Sequence, residues 1–226
     1  MNVVIIPARG GSKRIKKKNI KNFLGKPIIS YVIKKIIKTK LFDKIIVSTD
    51  SDKIKNISEK YGAKVYFKRP KNLSKDKTKT QDVVIHALNW FKKKNIRFDH
   101  VCCIYPTSVF IKTQDLKNSL KLIKNKNWSF VISAQKYSTQ IERAFRLSNN
   151  KIVLVDKKKF LKNSQDLKDF YHDAGQFYWG TPKSWYSKGT MLNNKSTIYE
   201  LKKFQSIDIN TLDDWKYAER LYNSKE

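Results

Sequence analysis

Cysteine is nearly absent from this sequence, which leaves little scope for disulfides or thiolate metal sites. The two cysteines, Cys102 and Cys103, are adjacent within the apolar segment 101–104. Neighbouring residues of a strand point to opposite faces, so a disulfide between them would need a distorted backbone. Metal sites also require further Cys or His ligands at wider spacing, and none accompanies this pair. We interpret both as small buried hydrophobic residues in a reducing compartment.

Long hydrophobic runs are also missing. No apolar segment approaches the ~20 residues that a membrane-spanning helix needs. The apolar run at 1–7 is short, and its positive charges follow it, which reverses the order found in a secretory signal. The sequence therefore predicts a cytoplasmic protein with no membrane partner.

Acidic residues are scarce, since 19 Asp and Glu stand against 49 Lys and Arg, for a formal net charge of +30. Such an excess suggests nucleic-acid binding. Nucleic-acid grooves favour clustered Arg, however, and here the basic residues are mostly lysines scattered along nearly every predicted helix. We therefore expect no nucleic-acid partner and expect the charge to attract anionic substrates. A non-catalytic nucleic-acid-binding protein is the alternative of a different class.

Internal repeats, low-complexity tracts and Pro-, Gly- or Ser-rich linkers are absent, which predicts one domain over 1–226. Apolar runs predict strands at 2–7, 44–48, 64–67, 99–104, 130–133, 152–155, 176–179 and 206–209. Helical periodicity predicts helices at 28–38, 51–61, 80–93 and 114–124, and a last one from Thr211, where Thr211 and Asp214 form a capping-box pattern. Repeated βα units indicate an α/β fold with a mostly parallel sheet and helices on both faces. Ligands of such sheets bind beyond the carboxyl ends of the strands.

A glycine-containing turn follows the first predicted strand and reads Ile-Pro-Ala-Arg-Gly-Gly-Ser-Lys. Gly10 and Gly11 permit backbone dihedrals and close approaches that a side chain would block. The amides of the turn, with Arg9, Ser12 and Lys13, would form a concave set of donors suited to phosphate. The turn lacks the Walker and dinucleotide fingerprints. By itself, a tight strand-to-helix turn with solvated basic residues explains it equally well.

Several blocks in matching order carry a family resemblance. The turn continues to Asn19, and is followed by Gly-Lys-Pro at 25–27, Val-Ser-Thr-Asp at 47–50, Arg-Pro at 69–70 and Asp-Ile-Asn-Thr at 208–211. Together these blocks closely resemble those of the CMP-sialic acid synthetases, the acylneuraminate cytidylyltransferases, across nearly the whole chain. The resemblance implies a three-layer α/β/α fold akin to the nucleotide-diphospho-sugar transferases, CTP as a substrate, and a homodimer. The strand and helix pattern becomes less regular at 128–185, and we expect this region to supply part of the acceptor pocket and a dimer contact.

The resemblance further implies a set of CTP-binding residues. The phosphates would be held by Arg9, Gly10, Gly11, Ser12, Lys13 and Lys18, and the ribose or triphosphate by Asn19. Arg69 would contact the cytosine, and Thr78 and Thr80 would lie near the base and sugar. Arg9, Lys18 and Asp208 would be the catalytic residues.

Two further blocks narrow the acceptor. At 102–107 the chain reads Cys-Cys-Ile-Tyr-Pro-Thr where the family usually has Leu-Gln-Pro-Thr, so Tyr105 replaces the Gln that contacts the sugar there. The block at 171–179 resembles that of the branch that activates pseudaminic acid. The implied acceptor is a nine-carbon sialic-acid-like sugar, with ligands Tyr105, His172, Asp173 and Gln176. On spacing alone, a buried aromatic strand after a polar turn explains the second block better. Legionaminate, N-acetylneuraminate and the eight-carbon acid of lipopolysaccharide are alternative acceptors.

The last block departs from the family pattern, which usually reads Asp-Ile-Asp-Thr. Residues two apart on a strand point to one face, so two carboxylates there can reach a Mg²⁺ held mainly by triphosphate and water. Here Asn210 replaces the second carboxylate, so Asp208 would be the main protein ligand and Asn210 a weak or water-mediated one. Both could instead cap the strand end before the last helix. The implied reaction is in-line attack of the sugar's anomeric hydroxyl on the α-phosphorus of CTP, releasing pyrophosphate, with catalysis by positioning and charge neutralisation.

Overall fold

The structure, a computed structural model, describes residues 1–125 and 128–224, so the end of the predicted domain 1–226 lies outside the described part. The strands are β1 (Asn2–Pro7), β2 (Asn22–Phe23), β3 (Lys26–Pro27), β4 (Lys44–Ser48), β5 (His100–Ile104), β6 (Phe130–Lys136), β7 (Phe145–Ser148), β8 (Lys151–Leu154), β9 (Tyr171–Gly180) and β10 (Ser196–Glu200). The α-helices are α1 (Ile28–Thr39), α2 (Asp52–Lys60), α3 (Thr80–Lys92), α4 (Thr113–Asn125), α5 (Lys157–Phe160), α6 (Pro182–Tyr186) and α7 (Leu212–Asn223). None of the helices in the described ranges is long and apolar enough to cross a membrane.

A six-stranded sheet runs through the described residues in the order β10-β6-β9-β5-β1-β4. β1 pairs in parallel with β4 and β5, and β10 pairs in parallel with β6. β9 lies between β5 and β6 and is antiparallel to both. The sheet is therefore mostly parallel, with one reversed strand inside it.

Alternation along β1 places apolar side chains in two separate cores. Val4 and Ile6 pack in one core with residues of α1, α4 and α7, whereas Val3 and Ile5 pack in the other with residues of α3. A strand that is covered on both faces needs a continuous apolar run, which is what β1 has. The predicted α/β fold with helices on both faces of the sheet is confirmed.

The adjacent cysteines follow the same alternation. Cys102 belongs to the core of α1 and Cys103 to the core of α3, and both are fully buried free thiols. Burial raises the pKa of both thiols, so they remain protonated. Their interpretation as small buried hydrophobic residues is confirmed.

Two predicted strands do not form. The segment 64–67 has one isolated parallel bridge, between Lys64 and Ile46 of β4, and a second bridge joins Lys68 and Thr49 just beyond it. Residues 206–209 belong to no strand. Apolar residues occur in both segments, but a strand also needs a continuous hydrogen-bonding partner. β10, which was not predicted, supplies the sheet edge instead; its residues Ser196–Glu200 are half-buried or exposed, so their apolar signal is weak.

The region 128–185 contains both sheet strands and a projecting segment. β6 and β9 belong to the central sheet, whereas β7 and β8 form a separate two-stranded hairpin. The predicted strand at 152–155 is therefore the second strand of this hairpin, at Lys151–Leu154. The hairpin is mostly exposed, since its strands pair with each other and leave the core.

Candidate active site

A cleft of about 420 Å³ opens beyond the carboxyl ends of β1 and β5, the position where open α/β sheets bind ligands. It brings together most residues that the sequence singled out, which lie far apart along the chain. Those that line it are Arg9, Ser12, Lys13, Lys18, Asn19, Arg69, Thr78, Thr80, Tyr105, Asp173, Asp208 and Asn210.

The loop after β1 is fixed by hydrogen bonds on both sides. The Gly10 amide donates to Asp50 Oδ1 at 2.8 Å, and the Asn19 side chain donates to the Arg9 carbonyl at 2.9 Å. A Cβ on Gly10 would lie 3.1 Å from the Ser51 Cβ, so the loop packs closely here, whereas a Cβ on Gly11 would meet nothing within 4 Å. Gly10 and Gly11 belong to this loop, although they are not themselves part of the cleft lining.

The basic side chains of the loop converge on one carboxylate. Arg9 Nη2 forms an ion pair with Asp76 Oδ1, and Lys13 Nζ lies 2.9 Å from Asp76 Oδ2. Hydrogen bonds from Lys13 and Arg9 lower the pKa of Asp76. Because the two cations are close enough to share one carboxylate, they can also share a phosphate group.

Lys18 connects the loop to the segment before α7. Its Nζ donates to the Ile209 carbonyl at 2.6 Å. Burial lowers the pKa of Lys18, and the nearby Asp208 carboxylate opposes that shift. The ammonium therefore lies in the cleft as a partly desolvated cation, where electrostatic attraction to an anion is strong.

Arg69 is almost fully buried at the end of β4. Its Nε donates to Ser48 Oγ at 3.2 Å, its Nη2 donates to the Ser48 carbonyl, and its own amide donates to Thr49. Burial lowers the pKa of Arg69 to about 10, and Asp50 opposes the shift. At neutral pH it is a charged group held in a fixed position in the cleft wall.

Two hydroxyl contacts form another part of the wall. Thr80 Oγ1 and the Tyr105 hydroxyl are 2.6 Å apart, and the Tyr178 hydroxyl donates to the Asp173 carboxylate at 3.0 and 2.8 Å. Burial raises the pKa of Tyr105 to about 12, so its hydroxyl remains protonated. This wall offers hydroxyls and a carboxylate, whereas the loop after β1 offers cations.

Asp208 and Asn210 lie side by side before α7. The side-chain amide of Asn210 donates to the Asp208 carboxylate, and the backbone amide of Asn210 donates to Asp214 Oδ2 at 2.9 Å. The predicted capping box of Thr211 and Asp214 is confirmed. The described residues contain no group of three or more His, Cys, Asp or Glu suited to a metal. The oxygen donors of Asp208 and Asn210 suit a hard cation that takes its remaining ligands from phosphate and water.

Two predicted acceptor ligands are not brought into the cleft. His172 lines a separate depression, where its ring packs edge-on against Tyr137. Gln176 is buried, and its amide donates to the Ala174 carbonyl. Both residues were predicted from the family resemblance of their block. In the structure, the pairing of β9 with β6 is irregular between Asp173 and Tyr178, and such an irregularity changes the direction of successive side chains.

Sequence reasoning also missed Asp76 and Tyr178. Asp76 is the sole acid in the basic stretch Lys-Asp-Lys-Thr-Lys at 75–79, a pattern that marks it as a partner for nearby cations. Tyr178 had no separate signal, because an aromatic residue in a buried strand is usually a core residue.

A cleft with convergent cations at the carboxyl ends of parallel strands defines an α/β protein whose cleft is suited to an anionic ligand. The particular family follows from sequence, since the sequence model of the family described as cytidylyltransferase matches residues 3–225. The chain belongs to the cytidylyltransferase family.

Relatives of known activity match nearly the full length of the chain. It is 41% identical over 223 residues to the pseudaminic acid cytidylyltransferase of Campylobacter jejuni, covering 98% of this chain and 96% of the relative. It is 31% identical to the CMP-N,N'-diacetyllegionaminic acid synthase of Legionella pneumophila, covering 97% and 95%. The fold is similar to that of CMP:2-keto-3-deoxy-manno-octonic acid synthetase solved with CTP, with a TM-score of 0.73 at 14% identity over 100% of this chain and 99% of the other.

Proposed function

We propose that this chain transfers CMP from CTP to the anomeric hydroxyl of a nine-carbon acidic sugar, pseudaminic acid, and releases pyrophosphate. The observation that carries the proposal is the composition of this cleft. Arg9, Lys13 and Lys18 provide cations at one part of its lining, and Tyr105 and Asp173 provide groups suited to a sugar at another. The relatives that are 41% identical over nearly the whole chain and are named for pseudaminic acid support this acceptor.

The reaction needs two substrates held in line. The anomeric oxygen forms a bond to the α-phosphorus, the bond from that phosphorus to the oxygen bridging to the β-phosphorus breaks, and the hydroxyl proton passes to solvent. We propose that Arg9, Ser12, Lys13 and Lys18 bind the triphosphate, with the amides of Gly10 and Gly11, and neutralise the charge that grows on leaving pyrophosphate. Asn19 would position the triphosphate or ribose.

A different part of the cleft lining is proposed to bind the base of the nucleotide. We propose that Arg69 contacts the cytosine, and that Thr78 and Thr80 lie beside the base and ribose. The fixed position of Arg69, held by Ser48 and Thr49, supports this assignment, because a preorganised donor discriminates better than a mobile one.

Asp208 and Asn210 are proposed as the protein ligands of Mg²⁺. When bound, Mg²⁺ supplies positive charge to the triphosphate. Asp208 contributes the charged oxygen and Asn210 a neutral one, so Asp208→Ala should nearly abolish turnover. Asn210→Asp should lower the Mg²⁺ concentration needed for half-maximal rate, which a metal titration measures. Near-normal activity and metal dependence in Asp208→Ala would contradict the assignment.

A homodimer in the cytoplasm, where CTP is made, is the form we propose. The hairpin of β7 and β8 and the segment after it expose large apolar side chains, including Leu147 at 69%, Ile152 at 64% and Leu161 at 85%. Clusters of this kind on a projecting hairpin favour burial against a second copy.

Legionaminate is the second candidate acceptor, because a relative named for that product is 31% identical over 97% of this chain. Pyrophosphate release with CTP separates the candidates when pseudaminic, legionaminic and N-acetylneuraminic acids and the eight-carbon acid are compared. We expect the highest kcat/KM with pseudaminic acid, and much lower turnover when UTP or ATP replaces CTP. A clear preference for another acid would overturn the acceptor, and comparable turnover with UTP would overturn the cytidylyl assignment.

A further inference from the structure

An irregular stretch of β9 brings two distant residues of the strand together. Between two register positions, β6 advances from Ile132 to Ala134 while β9 runs from Tyr178 to Asp173. The four residues 174–177 of β9 thus lie opposite the single residue Ser133 of β6, and the extra residues form a bulge that contains Gly175 at φ +59°. Bulges of this kind redirect a side chain.

The redirected side chain is Asp173, which lines the cleft and is exposed. Tyr178 is 3% exposed and is not part of the cleft lining. Its hydroxyl donates to both oxygens of Asp173, and the Gly175 amide donates to Asp173 Oδ1 at 2.8 Å. The carboxylate is therefore held from behind by two donors, with lone pairs left for a ligand on its cleft side.

The Tyr178 hydroxyl is the donor in its contact with Asp173, because a carboxylate only accepts hydrogen bonds. Burial raises its pKa, and the neighbouring Tyr105 and Asp173 raise it further, so it stays protonated. The Tyr178 ring also packs edge-on against Tyr105, at 5.8 Å between centroids, and Tyr105 pairs with Thr80. One buried residue thus supports both polar groups of this wall.

We propose that Tyr178 is a positioning residue that fixes Asp173 to recognise an N–H or O–H donor on the acceptor sugar. This inference rests on the proposed function and adds how the acceptor is oriented. A carboxylate only accepts hydrogen bonds and repels another carboxylate. The acid group of the sugar is therefore directed away from Asp173 and towards the cations of the cleft, while a hydroxyl or acylamido N–H faces Asp173.

Tyr178→Phe tests this, because it keeps the ring and removes the donor. The acceptor KM should rise about tenfold, the effect of losing one hydrogen bond to a charged group. The CTP KM should stay within about twofold of wild type, which also shows that the cleft has folded. Tyr186→Phe is the matched control, since Tyr186 donates to Asn89 outside the cleft. An unchanged acceptor KM in Tyr178→Phe would overturn the proposal.

Asp173→Asn, an exposed and isosteric change, gives a second measurement. A series of acceptor sugars, each lacking one N–H or O–H donor, is compared in both proteins. For one of these sugars, the missing donor should raise the acceptor KM clearly in wild type and hardly at all in Asp173→Asn. Equal penalties in both proteins at every position would contradict recognition by Asp173. If wild type transfers CMP to none of the acids, the proposed function itself fails, which is a different result from either outcome.

Discussion

The two glycines of the loop after β1 differ in what surrounds them. Gly10 packs against Ser51, so its lack of a side chain serves the fold. Gly11 has open space around it and a φ outside the left-handed region, so neither packing nor backbone conformation requires glycine there. Close approach of a ligand to the backbone is the remaining reason for a glycine at this position.

Gly11→Ala should therefore separate stability from activity. We expect the free energy of unfolding to change by less than about 0.5 kcal/mol, while kcat/KM for CTP falls about tenfold or more as the Cβ blocks phosphate from the amides. Chemical denaturation and steady-state kinetics measure the two effects. Gly10→Ala is the contrast, because it should lower stability as well. Unchanged CTP kinetics in Gly11→Ala would mean that phosphate does not approach this loop.

The charge state of Lys18 predicts a pH effect. Its pKa is lowered by burial, so its ammonium loses its proton at a lower pH than an exposed lysine does. Activity that depends on this charge is full below that pKa and is lost as pH rises through it. The kcat/KM for CTP, which reports the free enzyme, should fall on the alkaline side.

Lys18→Arg should move that alkaline limb to higher pH, because a guanidinium keeps its proton. The pH profile of kcat/KM for CTP measures the shift, and Lys121→Arg on the exposed face of α4 should leave the profile unchanged. An identical alkaline limb in wild type and Lys18→Arg would show that another group titrates.

At the scale of elements, α7 begins with a cap that also shapes the proposed metal site. Thr211 Oγ1 accepts from the Asp214 amide at 3.1 Å, and Asp214 Oδ2 accepts from the amides of Asn210 and Thr211. Hydrogen bonds that Asp214 accepts from the backbone amides of Asn210 and Thr211, and a hydrogen bond with the Thr211 side chain, lower the pKa of Asp214. The cap thereby fixes the backbone next to Asp208.

Thr211→Ala should lower the free energy of unfolding by about 1 kcal/mol, the usual value for losing an N-cap side chain. Lys216→Ala, on the exposed surface of α7, is the control and should change stability little. Thermal or chemical denaturation compares the two. Equal stability of Thr211→Ala and wild type would contradict a stabilising role for the cap.

Elements with a continuous apolar run or a clear helical period could be predicted from sequence. β1, β4 and β5 and helices α1, α3 and α4 form within about two residues of their predicted bounds, since burial alone determines them. Segments 64–67 and 206–209 were wrongly predicted as strands, and β10 was not predicted. Whether an extended segment pairs depends on which strand lies beside it, and that is a property of the tertiary fold.

The residues of the candidate site likewise divide into those that the sequence predicted and those that it misplaced or missed. Residues in the motif blocks, such as Arg9, Arg69 and Asp208, line one cleft because strand ends meet there. His172 and Gln176, which were predicted from the family resemblance of their block, do not line it, because the bulge in β9 redirects the side chains around it. Asp76 was missed because its partner, Arg9, is distant in sequence. Tyr178 was missed because its hydrogen bond to Asp173 forms only across the bulge.

At the scale of the whole molecule, the proposed dimer depends on the exposed hairpin. Changing Leu147 and Ile152 together to lysine should convert a dimer into a monomer, because buried lysine is costly at an apolar interface. Light scattering after size-exclusion chromatography measures the mass. Ile37→Lys is the control, since Ile37 is exposed on α1 away from the hairpin. A dimer that survives the double change would place the interface elsewhere.

The central claim is that one cleft joins CMP to a nine-carbon sugar acid, and ³¹P NMR of the purified protein tests it directly. Wild type is incubated with CTP, Mg²⁺ and pseudaminic acid carrying ¹⁸O in its anomeric hydroxyl. The predicted result is equal formation of a CMP-sugar phosphodiester and pyrophosphate, with the ¹⁸O retained in the phosphodiester and absent from pyrophosphate. Unconsumed CTP, hydrolysis that does not depend on the sugar, or a product that has lost the label would contradict the account.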